Sequence, residues 1–148
     1  MKIISSNRKA EHLYHFQDKF EAGIVLEGTE VKSARDNRLN FKDSYVRIEN
    51  GEAFLYNLHI SQYPPAGNMN HDPDRKRKLL LNRKEINKLH GRSDQKGLTI
   101  VPVKVYFKGN RIKVEIALAA GKKTYDKRES IKKKDLAREA KRDFKNRY

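Results

Sequence analysis

Strict alternation of apolar and polar residues dominates the first 120 positions. From His12 to Leu26 the chain reads as strand. Phe20, Ala22, Ile24 and Leu26 alternate with Glu21, Gly23 and Val25, so Glu21 faces away from the apolar row. A turn or bulge is expected near Gln17 and Asp18. Asn50-Gly51, between two alternating runs, predicts a hairpin over 45–56 with a type I′ turn. That turn pairs Ile48 with Ala53 and Val46 with Leu55. It leaves Tyr45, Arg47, Phe54 and Tyr56 on the opposite face, as a second packing surface under a helix or as a platform for stacked bases. A second hairpin is predicted from Leu98 to Ala119. Val101, Val103, Val105 and Phe107 form one row, and Ile112, Val114, Ile116 and Leu118 the other. Lys113 and Glu115 face out, Lys108-Gly109-Asn110 turns, and Pro102 asks for an edge or a bulge.

Two stretches change period. After Gly28-Thr29, EVKSAR places Val31 and Ala34 on one helical face and Lys32 and Arg35 outward; Asp36-Asn37 ends it. Asn82 suits an N-cap with Glu85 three residues on, and Leu81 with Ile86 makes a hydrophobic staple. Ile86 and Leu89 then face the core, and Gly91 is placed to end the helix. Residues 1–11 and 61–78 read as loops, the second ending in the basic run Arg75 to Lys78, expected as a solvated, RNA-facing edge. The sum is a mainly β chain of five or six antiparallel strands with two or three short helices. A small OB-like closed barrel is the economical way to remove its sheet edges.

Charge adds a second part. The 148 residues carry a formal net charge of +15. From Gly121 to Tyr148 there are 12 Lys and Arg against 5 Asp and Glu, with little to bury. The expected division is a barrel over 1–120 and a basic tail over 121–148, disordered alone. Leu136, Ala140, Phe144 and Tyr148 recur every fourth residue, so the tail is expected to become helical when a polyanion screens it. Such charge points to nucleic acid before an anionic membrane. No run is apolar enough to span a bilayer or to serve as a signal segment. The absence of cysteine excludes disulfides and thiolate metal sites and agrees with a reducing cytoplasm. His12, His15, His59, His71 and His90 show no metal-ligand spacing. No cofactor, metal or catalytic constellation is expected. The residues alone leave open a dedicated RNA-binding adaptor and a general basic OB-type protein, such as a ribosomal protein or RNA chaperone; an RNA-modifying enzyme ranks third.

Taken in order, NRKAEH, FEAGI, GTEVKSAR, DSYVRIENGEAFLYNLHI, DPDRKRKLLLN and GKKTYDKRE resemble the small protein B family, the SsrA-binding proteins of bacterial trans-translation. The likeness runs from about Asn7 to Lys134. It implies a six-stranded OB-like barrel with flanking helices that binds the transfer-RNA-like domain of tmRNA (transfer-messenger RNA). It further implies entry into the A site of stalled 70S ribosomes. The body would stand in for an anticodon arm, and the tail would read the empty messenger channel and the decoding centre. The protein would be a monomer and no enzyme: peptidyl transfer belongs to the ribosome, and elongation factor Tu acts through tmRNA. The resemblance implies RNA contacts at Glu21, Leu80 and Asn82, with Asn7, Arg8, His12, Lys32 and Arg35 as further candidates. In the tail it implies Lys122 and Lys123 on ribosomal RNA and Tyr125, Asp126, Lys127 and Arg128 near the decoding centre. Lys132, Lys133 and Lys134 belong to the same ribosome-binding tail. Ala120 departs from the basic residue common before GKK. Each assignment has a plainer rival: Asn82 is explained by its cap, Leu80 is by default core, and phosphate repels Glu21. A carboxylate can still accept a hydrogen bond from a base amine or a ribose hydroxyl.

Overall fold

The computed structural model describes residues 1–95 and 97–122. The chain runs through β1 (Lys2–Ser6), α1 (Arg8–Leu13), β2 (Tyr14–Ile24), α2 (Gly28–Arg35), β3 (Leu39–Asn40), β4 (Tyr45–Glu49), β5 (Glu52–Tyr56) and β6 (His59–Ile60). A 3-10 stretch (Pro64–Met69) leads to β7 (Arg77–Leu80), α3 (Arg83–Ser93), β8 (Leu98–Lys108) and β9 (Arg111–Gly121). Six strands close into a ring in the order β8-β4-β5-β7-β2-β9, and β9 pairs back onto β8. Every pairing is antiparallel. β1 adds to the outer part of β8, and β3 with β6 forms a separate two-stranded ladder.

The hairpins form as their patterns require. Asn50 and Gly51 take φ of 51° and 76°, which a type I′ turn demands. Ile48 pairs with Ala53 and Val46 with Leu55. On the other face Tyr45 stacks on Tyr56 with centroids 5.3 Å apart, and the Lys76 ammonium caps Phe54 at 4.5 Å. Inside the ring, Leu55, Leu79, Ile100, Ile116 and Leu118 are at most 1% exposed, with Leu89 of α3 closing one end at 0%. Each such side chain contributes about 1.5–3 kcal/mol by leaving water. β2 carries its expected irregularity between Phe16 and Lys19.

Four expectations need correction. Residues 1–11 are a strand and a helix, not a loop. Asn7 starts α1 by accepting from the Ala10 amide, and its own amide and side chain bond Val103 and Pro102 of β8. α3 passes Gly91 and ends at Ser93. Glycine costs a helix interior only about 1 kcal/mol, and Arg92 ties the extra turn to Asp18 at 2.6 Å and Gln17 at 2.8 Å. The row Val101, Val103, Val105, Phe107 is broken by the bulge at Pro102. One added residue reverses the alternation, so Ile100 and Val105 enter the main core while Val101 joins Ala10 and Ala119 in a second cluster.

The basic run from Arg75 to Lys78 is a solvated edge only in part: Lys76 is exposed, but Arg77 is not. Arg77 is wholly buried. Its Nε donates to the Glu30 carboxylate, and its other nitrogens donate to the carbonyls of Leu58 and Pro73. Arg75 donates to the same carboxylate. Burial alone would push the Glu30 carboxyl up. Hydrogen bonds from Arg75, the Glu27 amide and Arg77 outweigh that and hold it below its ordinary value. The 61–78 segment is thereby fastened to α2 through one carboxylate.

Candidate nucleic-acid interface

The outer face of the ring brings together two of the expected residues, Glu21 and Leu80, through register. Gly23 of β2 pairs with Leu80 of β7 on one side and with Lys113 of β9 on the other. Lys113 pairs in turn with Tyr106 of β8. These four positions make one row across four strands. The neighbouring row holds Glu21, Glu115 and Lys104. Leu80 is 54% exposed, so its default assignment to the core is wrong and its place on the surface stands.

Gly23 is what lets Leu80 lie there. A Cβ at Gly23 would sit 3.2 Å from the Leu80 Cβ and 3.6 Å from the Lys113 ammonium. Without it the Leu80 side chain lies flat across β2.

Glu21 stands on this face facing away from the core, as its strand phase requires. Tyr106, itself 2% exposed, donates its hydroxyl to Oε2, and Lys108 donates to Oε1 at 3.1 Å. The hydrogen bond from Tyr106, then that from Lys108, hold the carboxyl below its ordinary value, with Lys113 adding attraction. The same bond, after burial, pushes the Tyr106 hydroxyl above its ordinary range. Glu21 is therefore an ionised, acceptor-only group held in place. Glu115 faces it across the ladder, and Lys19 at 3.7 Å and Lys104 at 3.6 Å offset that like-charge pair.

Asn82 begins α3 two residues after Leu80. Its Oδ1 accepts from the Glu85 amide at 3.0 Å, and Glu85 accepts from the Asn82 amide at 3.3 Å. Its side-chain NH₂ is left over, so the cap does not exhaust the residue. The other candidates lie elsewhere. Asn7 is 4% exposed, its side chain engaged with the Ala10 amide and the Pro102 carbonyl; Arg8 and His12 stand on the helix it begins. Lys32 and Arg35 are exposed on α2, with the Lys32 ammonium 5.3 Å from the Tyr63 ring centroid. Lys122 sits at the end of β9, its amide bonded to the Leu13 carbonyl at 2.8 Å. Lys123, Tyr125, Asp126, Lys127, Arg128, Lys132, Lys133 and Lys134 lie outside the described residues.

Tyr106, Lys108 and Gly23 were missed by sequence reasoning. Gly23 carried a faint signal, as a glycine inside a clean strand pattern. Tyr106 carried none, because its partner is 85 positions away. Among the described residues no group of three His, Cys, Asp or Glu is arranged to hold a metal, and no helix is long and apolar enough to cross a membrane.

The SmpB protein family profile matches residues 4–146. The SsrA-binding protein of Carboxydothermus hydrogenoformans is 56% identical over 147 residues, 99% of each chain. That of Sulfurihydrogenibium sp. is 58% identical over 144 residues, covering 97% of this chain and 95% of its own. A solved structure described as "tmRNA-SmpB: a journey to the center of the bacterial ribosome" matches with a TM-score of 0.71 and 46% identity, over 86% of this chain and 93% of that one. The chain, alike in sequence over nearly its whole length and in fold over most of it, belongs to the SmpB protein family.

Proposed function

We propose that this chain is a non-catalytic RNA-binding adaptor of ribosome rescue. It binds the transfer-RNA-like domain of tmRNA through its body and places that RNA in the A site of stalled ribosomes. The ring serves as an OB-like closed barrel that displays the interface. The basic tail reads the empty messenger channel and the decoding centre, and the protein works in the cytoplasm without a cofactor. The observation that carries the reading is family membership over residues 4–146, which spans both body and tail. The geometry supports it: an exposed leucine and a fixed carboxylate share one face with Lys113 and Lys108. A surface for unspecific polyanion binding needs only the lysines.

Competition tests it. Labelled tmRNA bound to the full chain is challenged with unlabelled tmRNA or with excess bulk transfer RNA. The adaptor reading expects displacement by tmRNA and resistance to bulk transfer RNA. Equal displacement by both would favour a general basic RNA-binding protein.

A further inference from the structure

The Glu21 carboxylate has unused capacity on a surface where a carboxylate is out of place. Each ionised oxygen can accept two hydrogen bonds. Tyr106 occupies one place on Oε2, and Lys108 one on Oε1. One place on each oxygen is left. Two adjacent acceptors at fixed spacing match two parallel N–H donors. Of the four RNA bases only guanine offers such a pair, N1–H and N2–H on its Watson–Crick edge, and that edge is open only in an unpaired nucleotide. Adenine and cytosine present an amine alone, uracil an imide alone, and a ribose hydroxyl a single donor.

The neighbours fit the same ligand. Guanine carries O6 beside N1–H and needs a donor there. The Lys113 ammonium lies over Gly23, 3.6 Å from where a Cβ there would sit, and close enough to bias the Glu21 charge. A splayed base also needs an apolar plane to lie on. Leu80, 54% exposed and laid across the bare Gly23, supplies one. A contact to sugar or phosphate would need no such floor.

Building on the tmRNA-binding function above, we propose that this face reads one unpaired guanine of the bound RNA. Glu21 accepts from its Watson–Crick edge, Lys113 donates to O6, and Leu80 carries the ring. Tyr106, Lys108 and Gly23 are the positioning residues. Tyr106 and Lys108 fix the carboxylate, and Gly23 leaves room for the Leu80 side chain and the Lys113 ammonium that meet the base.

The test uses the full chain and the transfer-RNA-like domain of tmRNA. A set of RNAs is prepared, each with one unpaired guanine replaced by inosine, which lacks the 2-amino donor. At one position inosine is expected to weaken wild-type binding about tenfold, in the range set by breaking a bidentate pairing to a base. Glu21→Gln should bind the guanine and inosine forms of that RNA alike. Tyr106→Phe keeps the ring and loses the hydroxyl, and should cut the discrimination to about threefold. Lys108→Met, at an exposed site, should do the same should the Tyr106 variant fold poorly. The inference is overturned if no inosine position costs more than about twofold, or if Glu21→Gln keeps the discrimination. It is overturned also if a 2′-deoxy substitution, and not inosine, reproduces the Glu21-dependent loss. In each case wild type would still prefer tmRNA to bulk transfer RNA. Loss of that preference in wild type would instead bring down the adaptor function itself.

Discussion

Asn82 puts one side chain to two uses, and two substitutions separate them. Serine keeps a good N-cap and loses the amide donors; alanine loses both. Asn82→Ala should lower stability by about 1 kcal/mol, read as a fall in melting temperature. Asn82→Ser should melt near wild type while binding tmRNA several-fold more weakly. Equal tmRNA affinity for Ser and Asn would leave the residue only a cap. Glu30 is the residue on which acid stability turns. Its folded carboxyl lies below its ordinary value of 4.5. Its contribution is therefore complete above that value and is lost as pH falls through the folded one. Glu30→Gln leaves Arg77 buried without its counter-charge and should cost about 3–5 kcal/mol at neutral pH. Urea midpoints from pH 7 down to pH 3 should bring wild type and variant together in acid; a constant gap would contradict the assignment. Residue-scale roles were the least legible in the sequence. A run of four cations looks solvated until a carboxylate 47 positions away is seen to hold its buried member. The capping box was legible because all its parts lie within four residues.

Elements were read best where the signal is local. Asn50-Gly51 fixed a hairpin register, and Pro102 announced a bulge, since both act through the backbone at one spot. What the bulge did to the rows flanking it was not legible, because a side chain's face depends on which strand position absorbs the extra residue. β1 escaped notice for another reason. It is short, and its partner on β8 lies about a hundred positions on, with Lys2 opposite Phe107. At this scale α2 makes a separate prediction. Lys32 and Arg35 project from it. Reversing both to Glu should weaken tmRNA binding and flatten the slope of log K against log salt by roughly 0.7–0.9 for each phosphate no longer neutralised. A titration with unchanged affinity and slope would take α2 off the RNA surface.

For the whole molecule, closure of the ring was legible because six edge-forming strands have few economical ways to hide their edges. β9 ends at Gly121, and the Lys122 amide bonds the Leu13 carbonyl at 2.8 Å. A chain stopped after Lys122 should therefore fold, with a thermal transition close to that of the full chain. It should hold tmRNA with a weakening confined mostly to low salt, where long-range attraction is least screened. The same truncation should abolish peptide tagging on stalled ribosomes in a reconstituted translation assay. Tagging at the full rate would remove the tail from the mechanism. Failure to bind tmRNA even at low salt would break the division between an RNA-holding body and a ribosome-reading tail.

The pairing of β2 with β9 has a spatial consequence. Gly121 sits opposite Tyr14, while Glu21 stands seven residues farther along the same strand. At the rise of an extended chain that offset is about 20 Å. The strand thus works as a ruler, with the Glu21 face near one end and the end of β9 at the other. Lys122 is pinned there to the last residue of α1. Under the proposed function, an RNA held at the Glu21 face and a partner of the residues beyond Lys122 would be met about 20 Å apart.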